Sequence, residues 1–97
     1  MYQLEATELF EERYRFYTKN NTLLKKRIDK ALLLLARDPQ HPSLHSHKAV
    51  SKRFGERWSS MVTGDVRILW DFSPEKGVKV LDVLDLGSHS GKKKVYR

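Results

Sequence analysis

The pattern that most constrains the fold lies in residues 22–37, where apolar side chains recur every three or four positions between charged ones. These apolar residues are Leu24, Ile28, Ala31, Leu32 and Leu35. The spacing predicts an amphipathic helix. We expect it to end before Asp38, because Pro39 disfavours a helical conformation in the residue that precedes it. A helix with one apolar face must cover another layer of secondary structure, so the rest of the chain has to supply that layer.

Residues 66–72 alternate cleanly and predict a strand in that second layer. One set of side chains is Val66, Ile68, Trp70 and Phe72, and the other set is Arg67, Leu69 and Asp71. Successive side chains of a strand point to opposite faces of the sheet. The apolar set should therefore meet the helices, and Arg67 should lie on the opposite face.

The other elements follow from shorter patterns. They are a strand at Tyr2–Glu5, a helix capped by Thr7, a long ordered loop from Pro39 to Phe54, a strand at Trp58–Val62, a turn at Thr63-Gly64-Asp65 and a last strand at Val78–Leu86. The last strand breaks strict alternation, which indicates a bulge or burial on both faces. Gly87 should then turn the chain sharply out of the sheet. The order strand-helix-helix-strand-strand-strand predicts an α+β fold. Two N-terminal helices pack on one face of a small, mainly antiparallel sheet, and the opposite face is open.

Size and charge narrow the class of protein. A chain of 97 residues is one small domain, so we assign residues 1–97 to a single unit. The formal net charge of +7 favours a polyanionic partner, and the surplus lies in residues 41–57 and 88–97. There is no cysteine, no apolar run long enough to span a membrane and no signal peptide, so we expect a cytoplasmic protein without disulfides.

Few side chains are suited to catalysis. The four histidines, His41, His45, His47 and His89, are the groups that ordinarily titrate near neutral pH. Without cysteines or a His-Glu-x-x-His pattern they make a weak metal set, so we expect neither a metal ion nor another cofactor. A histidine in a polar loop is more often solvated than catalytic.

Arg67 is more specific, because a strand holds its guanidinium where it can match two phosphate oxygens. The alternative is a surface ion pair with Asp71 or Asp82. His89, bracketed by Gly87 and Gly91, is the other candidate, although glycine-bracketed histidines are common in turns.

The order of several short motifs resembles the RelE/ParE superfamily of toxin-antitoxin toxins. The motifs are Asp38-Pro39, Pro42-Ser43-Leu44, His47-Lys48, Trp58-Ser59, Asp65-Val66-Arg67-Ile68, Leu86-Gly87-Ser88-His89 and Tyr96. The resemblance spans essentially the whole chain and is nearest to the RelE/StbE and YafQ-like messenger RNA interferases. It implies a RelE-like, microbial RNase-like fold and metal-independent cleavage of messenger RNA, usually on the ribosome. It also implies neutralisation by a cognate antitoxin.

The resemblance also implies site residues. The positions that match the catalytic groups of YafQ-like members are His47, Asp65, His89 and Tyr96, and Arg67 matches the RelE-like arginine that binds the scissile phosphate. The lysines of the RelE-type second strand have no counterpart in Trp58-Ser59-Ser60-Met61, so the mechanism here has to be histidine-based.

Basic side chains near these positions would contact flanking phosphates. They are Lys48, Lys52, Arg53, Arg57, Lys92, Lys93 and Lys94. Two alternatives stay open: a ParE-like protein that inhibits DNA gyrase without nuclease chemistry, and a basic nucleic-acid-binding module.

Overall fold

The computed structural model describes residues 1–73, 75 and 79–88. The elements run in the order β1 (Gln3–Ala6), α1 (Glu8–Thr18), α2 (Thr22–Arg37), a short 3-10 helix (Pro42–Leu44), β2 (His47–Ser51), β3 (Gly55–Met61), β4 (Val66–Phe72) and β5 (Val80–Ser88). The five strands form one sheet in the order β1-β5-β4-β3-β2. β1 runs parallel to β5, and every other neighbouring pair is antiparallel. No helix in this part of the chain is long and apolar enough to cross a membrane.

As the sequence predicts, α1 begins after Thr7 and α2 ends before Asp38. The Thr7 hydroxyl accepts a hydrogen bond from the Phe10 amide, and the Asn21 side chain accepts one from the Leu24 amide. Each cap satisfies an amide that the first turn of a helix would leave without a partner. Between the helices Asn20 adopts a left-handed conformation with φ of 59°. Asparagine tolerates this conformation better than most residues, so it breaks the chain into two helices at this point.

The core lies between the helices and one face of the sheet. The apolar stripe of α2 packs there against Ile68 and Trp70 of β4, which are fully buried. Phe72 continues the same alternation but remains 40 % exposed, so the contact with the helices weakens towards the end of β4. The predicted layering is confirmed, and it leaves Arg67, Leu69 and Asp71 on the opposite side, here called the second face.

A buried chain of hydrogen bonds ties the irregular segment after α2 to this core. The Trp70 indole N–H donates to Ser60 Oγ at 2.8 Å, and the hydroxyls of Ser60 and Ser46 are 2.6 Å apart. Ser46 in turn donates to the Pro39 carbonyl at 2.7 Å. Because the indole proton and both hydroxyl protons have partners, the tryptophan can be buried without leaving its polar atom unpaired.

Several predicted boundaries are wrong. The segment from Pro39 to Phe54 is not all loop, since it contains β2, so the sheet has one strand more than predicted. Three of the five residues of β2 are exposed, and its sequence does not alternate between apolar and polar side chains. The strand is defined instead by its backbone pairing with β3. The sharp turn at Gly87 is also wrong, because β5 continues through Gly87 and Ser88, which pair with Arg67 and Val66.

The irregularity predicted in the last strand is confirmed. Leu69 pairs with Asp85 and Trp70 with Val83, so Leu84 is an extra residue in β5. The expected open face is only partly open. Leu69 and Ser59, which lie in the middle of the second face, are fully buried, so its exposed groups lie towards the two ends of the strands.

Candidate active site

Arg67 is held in a fixed position on the second face. Its Nη1 donates to the Thr63 carbonyl at 2.5 Å, and the side chain is half-buried. Three ion pairs occur among the described residues, and Arg67 belongs to none of them. The alternative of an ion pair between Arg67 and Asp71 is wrong, because Asp71 pairs with Arg57. A guanidinium has five N–H donors, so one bond to a carbonyl leaves most of the fork able to bind an anion.

The turn before β4 positions Asp65. The Thr63 hydroxyl accepts hydrogen bonds from the amides of Asp65 and Val66, at 3.2 and 3.0 Å, which fixes the turn. The carboxylate of Asp65 then accepts a hydrogen bond of 2.5 Å from the Ser88 hydroxyl at the end of β5. The pairing of Val66 with Ser88 brings these two side chains together. Asp65 is thus fastened to the last described residue of β5.

His47 is the first residue of β2, and its side chain is exposed. Its Nδ1 lies 3.0 Å from the His45 carbonyl oxygen. A carbonyl can only accept a hydrogen bond, so Nδ1 carries the proton in this contact. In the neutral ring Nε2 is then left with a lone pair, which is the arrangement that a general base needs.

The strand register relates His47 to Arg67. His47 pairs with Ser59, and Ser59 pairs with Leu69, which follows Arg67 by two residues on the same side of β4. Two strand spacings separate the backbones by ~10 Å across the sheet, and two residues separate them by ~7 Å along it. A long arginine side chain and an imidazole can approach one bound group across that span. The structure therefore places His47 and Arg67 on the second face, with His47 level with the middle of β4. The Asp65 carboxylate lies instead with Ser88, whose strand partner Val66 faces the helices.

The basic residues predicted to bind RNA are spread over several surfaces. Lys52 and Arg53 are exposed in the turn between β2 and β3. Lys48 lies on the side of the helices, with its ammonium 5.0 Å from the centre of the Trp58 ring. Arg57 is on the second face, where its Nη1 donates to Asp71 at 2.9 Å and its Nε donates to the Phe54 carbonyl at 3.0 Å.

The remaining predicted site residues lie outside the described residues. They are His89, Tyr96, Lys92, Lys93 and Lys94. Within the described part of the chain, no three histidine, aspartate or glutamate side chains are arranged to hold a metal ion.

A group of charged residues that the sequence did not single out adjoins the site. Arg13 of α1 forms an ion pair of 3.5 Å with Asp85 of β5, whose side chain is only 6 % exposed. Burial raises the pKa of Asp85, although Arg13 acts to lower it. Tyr17 follows Arg13 by one helical turn, and burial also raises the pKa of its phenol, with a further contribution from Asp65. The i, i+4 spacing of Arg13 and Tyr17 was the signal in the sequence, but only the tertiary contact shows where these side chains lie.

Known proteins match this chain in fold but not in sequence. No protein-family model matches the sequence, and no curated protein matches it in sequence. Solved structures do match over nearly the whole chain. A metal-bound toxin from Helicobacter pylori is 21 % identical, with a TM-score of 0.70 over 92 % of this chain and 96 % of the other. A YoeB/ParE toxin from Agrobacterium tumefaciens is 17 % identical, with a TM-score of 0.72 over 91 % and 99 %. YafQ in the DinJ-YafQ complex of E. coli is 16 % identical, with a TM-score of 0.69 over 92 % and 94 %.

The chain has the fold of these toxins. The resemblance to the RelE/ParE superfamily is confirmed at the level of the fold, as is the α+β architecture. At these identities the likeness does not extend to individual site residues, so their roles rest on the geometry of this chain.

Proposed function

We propose that this protein is the toxin of a type II toxin-antitoxin pair, and that it is a metal-independent endoribonuclease that cleaves messenger RNA on the ribosome. The supporting observation is the position of Arg67. Its guanidinium is anchored by the Thr63 carbonyl, takes part in no ion pair among the described residues, and lies on the same face of the sheet as His47, which is two strands away.

Three tasks define cleavage by the 2′-hydroxyl of RNA. A base removes the proton of that hydroxyl, a cation stabilises the extra negative charge at the phosphorus centre, and an acid protonates the leaving 5′-oxygen. Arg67 is suited to the second task, because its planar fork matches two phosphate oxygens. His47 is suited to the first, because its contact with the His45 carbonyl leaves Nε2 as the acceptor.

The third task falls to His89, which follows Ser88 in the sequence. In this proposal Asp65, held by Ser88, orients one of the two imidazoles or stabilises its charged form. Tyr96 completes the site as the aromatic residue near the C-terminus. Lys52, Arg53 and the lysines 92–94 contribute contacts to flanking phosphates, while Lys48 can reach RNA only around the edge strand β2.

Replacing Arg67 tests the proposed chemistry. Arg67→Ala should lower cleavage by about a hundredfold or more, because it removes one preorganised electrostatic partner of the transition state. The control is Lys26→Ala, which removes an exposed cation from α2 and should leave cleavage unchanged. The readout is growth arrest on induction, with messenger RNA followed by primer extension.

The type of damage distinguishes this proposal from gyrase inhibition. We expect translation to stop with cleaved messages that end in a 2′,3′-cyclic phosphate or its 3′-phosphate product. Fragments with 5′-phosphate ends would contradict attack by the internal hydroxyl. A DNA-damage response with intact messages would contradict the nuclease assignment and favour the ParE-like alternative.

The proposed protein partner is an acidic antitoxin segment that crosses the basic surface and covers the second face. YafQ, one of the structural neighbours, was solved in complex with DinJ. With a net charge of +7, this chain would attract such a segment by an electrostatic force that physiological salt screens beyond ~8 Å.

Changing Lys92, Lys93 and Lys94 to Glu should slow association with the antitoxin and flatten its salt dependence. Stopped-flow rates across a salt series measure this, and an unchanged slope would remove the three lysines from the interface.

A further inference from the structure

The second face carries a cavity that the proposed cleavage chemistry does not use. It has a volume of about 440 Å³, which lies within the range of pockets that bind small organic groups. Its walls include Arg57, Asp71, Asp82, Leu84 and Phe72. The cavity lies at the opposite end of β4 from Arg67 and is here called the Arg57 pocket.

Hydrogen bonds hold the guanidinium of Arg57 in one orientation, as is needed for a side chain that recognises a base. Its Nε donates to the Phe54 carbonyl and its Nη1 donates to Asp71, while Asp71 also accepts a hydrogen bond from the Phe72 amide at 2.8 Å. Two anchors fix the plane of the guanidinium. Among the described residues nothing else accepts a hydrogen bond from it, so the Nη1 and Nη2 edge retains donors for a ligand.

The charges around Arg57 favour a base over a phosphate. Asp71 pairs directly with Asp82 on the neighbouring strand, and Glu75 also borders the cavity. Like charges directly opposite on two strands destabilise a sheet, and Arg57 offsets this for Asp71. Three carboxylates would repel a phosphate group. They would accept hydrogen bonds from the N–H groups of a nucleobase.

The apolar part of the pocket supplies surface for a ring. Leu84 is the extra residue of the β5 bulge, and such bulges re-aim side chains next to functional sites. The ring of Phe72, which also borders the cavity, packs against Trp70 and Tyr2 on the helix side, so Leu84 is the apolar surface that the second face offers to a base. Single-stranded RNA is commonly recognised by stacking of splayed bases on side chains and by hydrogen bonds to the base edges.

We propose that the Arg57 pocket binds a guanine base of the RNA substrate, next to the cleaved phosphate but not at it. Guanine presents two adjacent acceptors, O6 and N7, which suit the arginine fork, and N–H donors on its other edge, which suit carboxylates. Arg67 and Asp71 are four residues apart on β4, or ~13 Å, which places the base beyond the nucleotide whose phosphate Arg67 holds. The inference rests on the proposed nuclease function.

Mapping of cleavage sites tests the proposal. RNA ends produced by the parent protein should show guanine enriched at one fixed position near the cut. Arg57→Lys keeps the charge but removes the fork, and Asp82→Asn keeps the shape but removes the acceptor charge. Each should reduce the guanine preference by about tenfold or more, the discrimination expected of a good bidentate contact, in the RNA that the variant still cleaves. Arg37→Lys, an exposed position at the end of α2, is the matched control and should keep the parent's preference.

The outcomes separate this inference from the proposed function. If the parent cleaves RNA but Arg57→Lys and Asp82→Asn keep the parent's base preference, the pocket does not read the base and the inference is wrong. A preference for another base at that position, lost in both variants, would overturn the assignment to guanine. If the parent cleaves no RNA at all, the proposed function fails first. Circular dichroism of each variant confirms that any loss of preference arises in a folded protein.

Discussion

The two faces of the sheet differ in role: one packs in the core, and the other carries the charged groups of the candidate site. On the side of the helices, Ile68 and Trp70 are fully buried, and the tryptophan's N–H is satisfied by Ser60. On the second face, a neighbouring residue of the same strand, Arg67, is half-buried, carries a charge and is anchored by a single backbone carbonyl. Residues one step apart on β4 therefore have opposite roles.

This division suits a fold that can carry several activities. The helix side supplies most of the buried apolar side chains, so the exposed side chains towards the two ends of the second face can vary without unfolding the domain. Charged groups on the second face, such as Arg57 and Asp71, are arranged by strand register and by backbone carbonyls rather than by packing in a core. The comparison predicts that stability and activity respond to different substitutions.

The largest expected effect comes from removing the centre of the helix side. Trp70→Ala should lower the free energy of unfolding by about 3–5 kcal/mol, because it leaves a cavity and deprives Ser60 of a donor. Arg67→Ala should cost about 1 kcal/mol, the typical worth of one hydrogen bond, although we expect it to abolish most of the proposed cleavage. Urea denaturation of both variants measures the difference. Equal losses of stability would show that the two faces are not separable.

The sequence predicts this division well where the pattern is periodic. The alternation in β4 correctly places Arg67 on the face away from the helices, and the stripe in α2 correctly identifies the helix that covers Ile68. β2 is missed because His47–Ser51 is largely exposed, and backbone pairing with β3 defines it. The sequence predicts a sharp turn out of the sheet at Gly87, yet Gly87 pairs with Arg67 inside the sheet.

The site is less predictable than the fold, because its contacts depend on register between distant segments. Ser88 and Asp65 are 23 residues apart, and only the pairing of β4 with β5 brings them together. Asp71 could have paired with Arg67 or with Arg57, and the cross-strand geometry selects Arg57. A single sequence has no signal for such choices, since each depends on which strands are neighbours.

A smaller effect should follow from breaking the buried hydrogen-bond chain on the helix side. Ser60→Ala removes the acceptor of the fully buried Trp70 N–H and also the partly buried link to Ser46. An unsatisfied buried donor costs about 1–3 kcal/mol, so thermal and urea unfolding should show a loss in that range. Thr18→Ala is the control. It removes the hydroxyl that donates to the Tyr14 carbonyl within α1, where water can replace the bond, and should have a smaller effect. An equally stable Ser60→Ala protein would show that the chain from Trp70 to Pro39 does not stabilise the core.

The smallest expected effect is a change in how stability depends on pH, and it compares two carboxylates. Burial raises the pKa of Asp85 above the value of about 3.9 that an aspartate has in an unfolded chain. The folded protein therefore holds a proton that the unfolded chain has released, so this group's contribution to stability declines as the pH rises from about 4 through the raised pKa. For Asp29 burial acts in the same direction, but hydrogen bonds from Lys25 and Tyr14 outweigh it and the pKa is lowered. The contribution of Asp29 to stability is present above the unfolded pKa and is lost as the pH falls through the lowered pKa.

Urea denaturation from about pH 3 to about pH 7 should show that Asp85→Asn removes a decline of stability with rising pH, whereas Asp29→Asn removes a gain. Parallel pH curves for the parent and Asp85→Asn would contradict the raised pKa, and with it the distinction between a carboxylate buried beside the candidate site and one held at the surface of the helices.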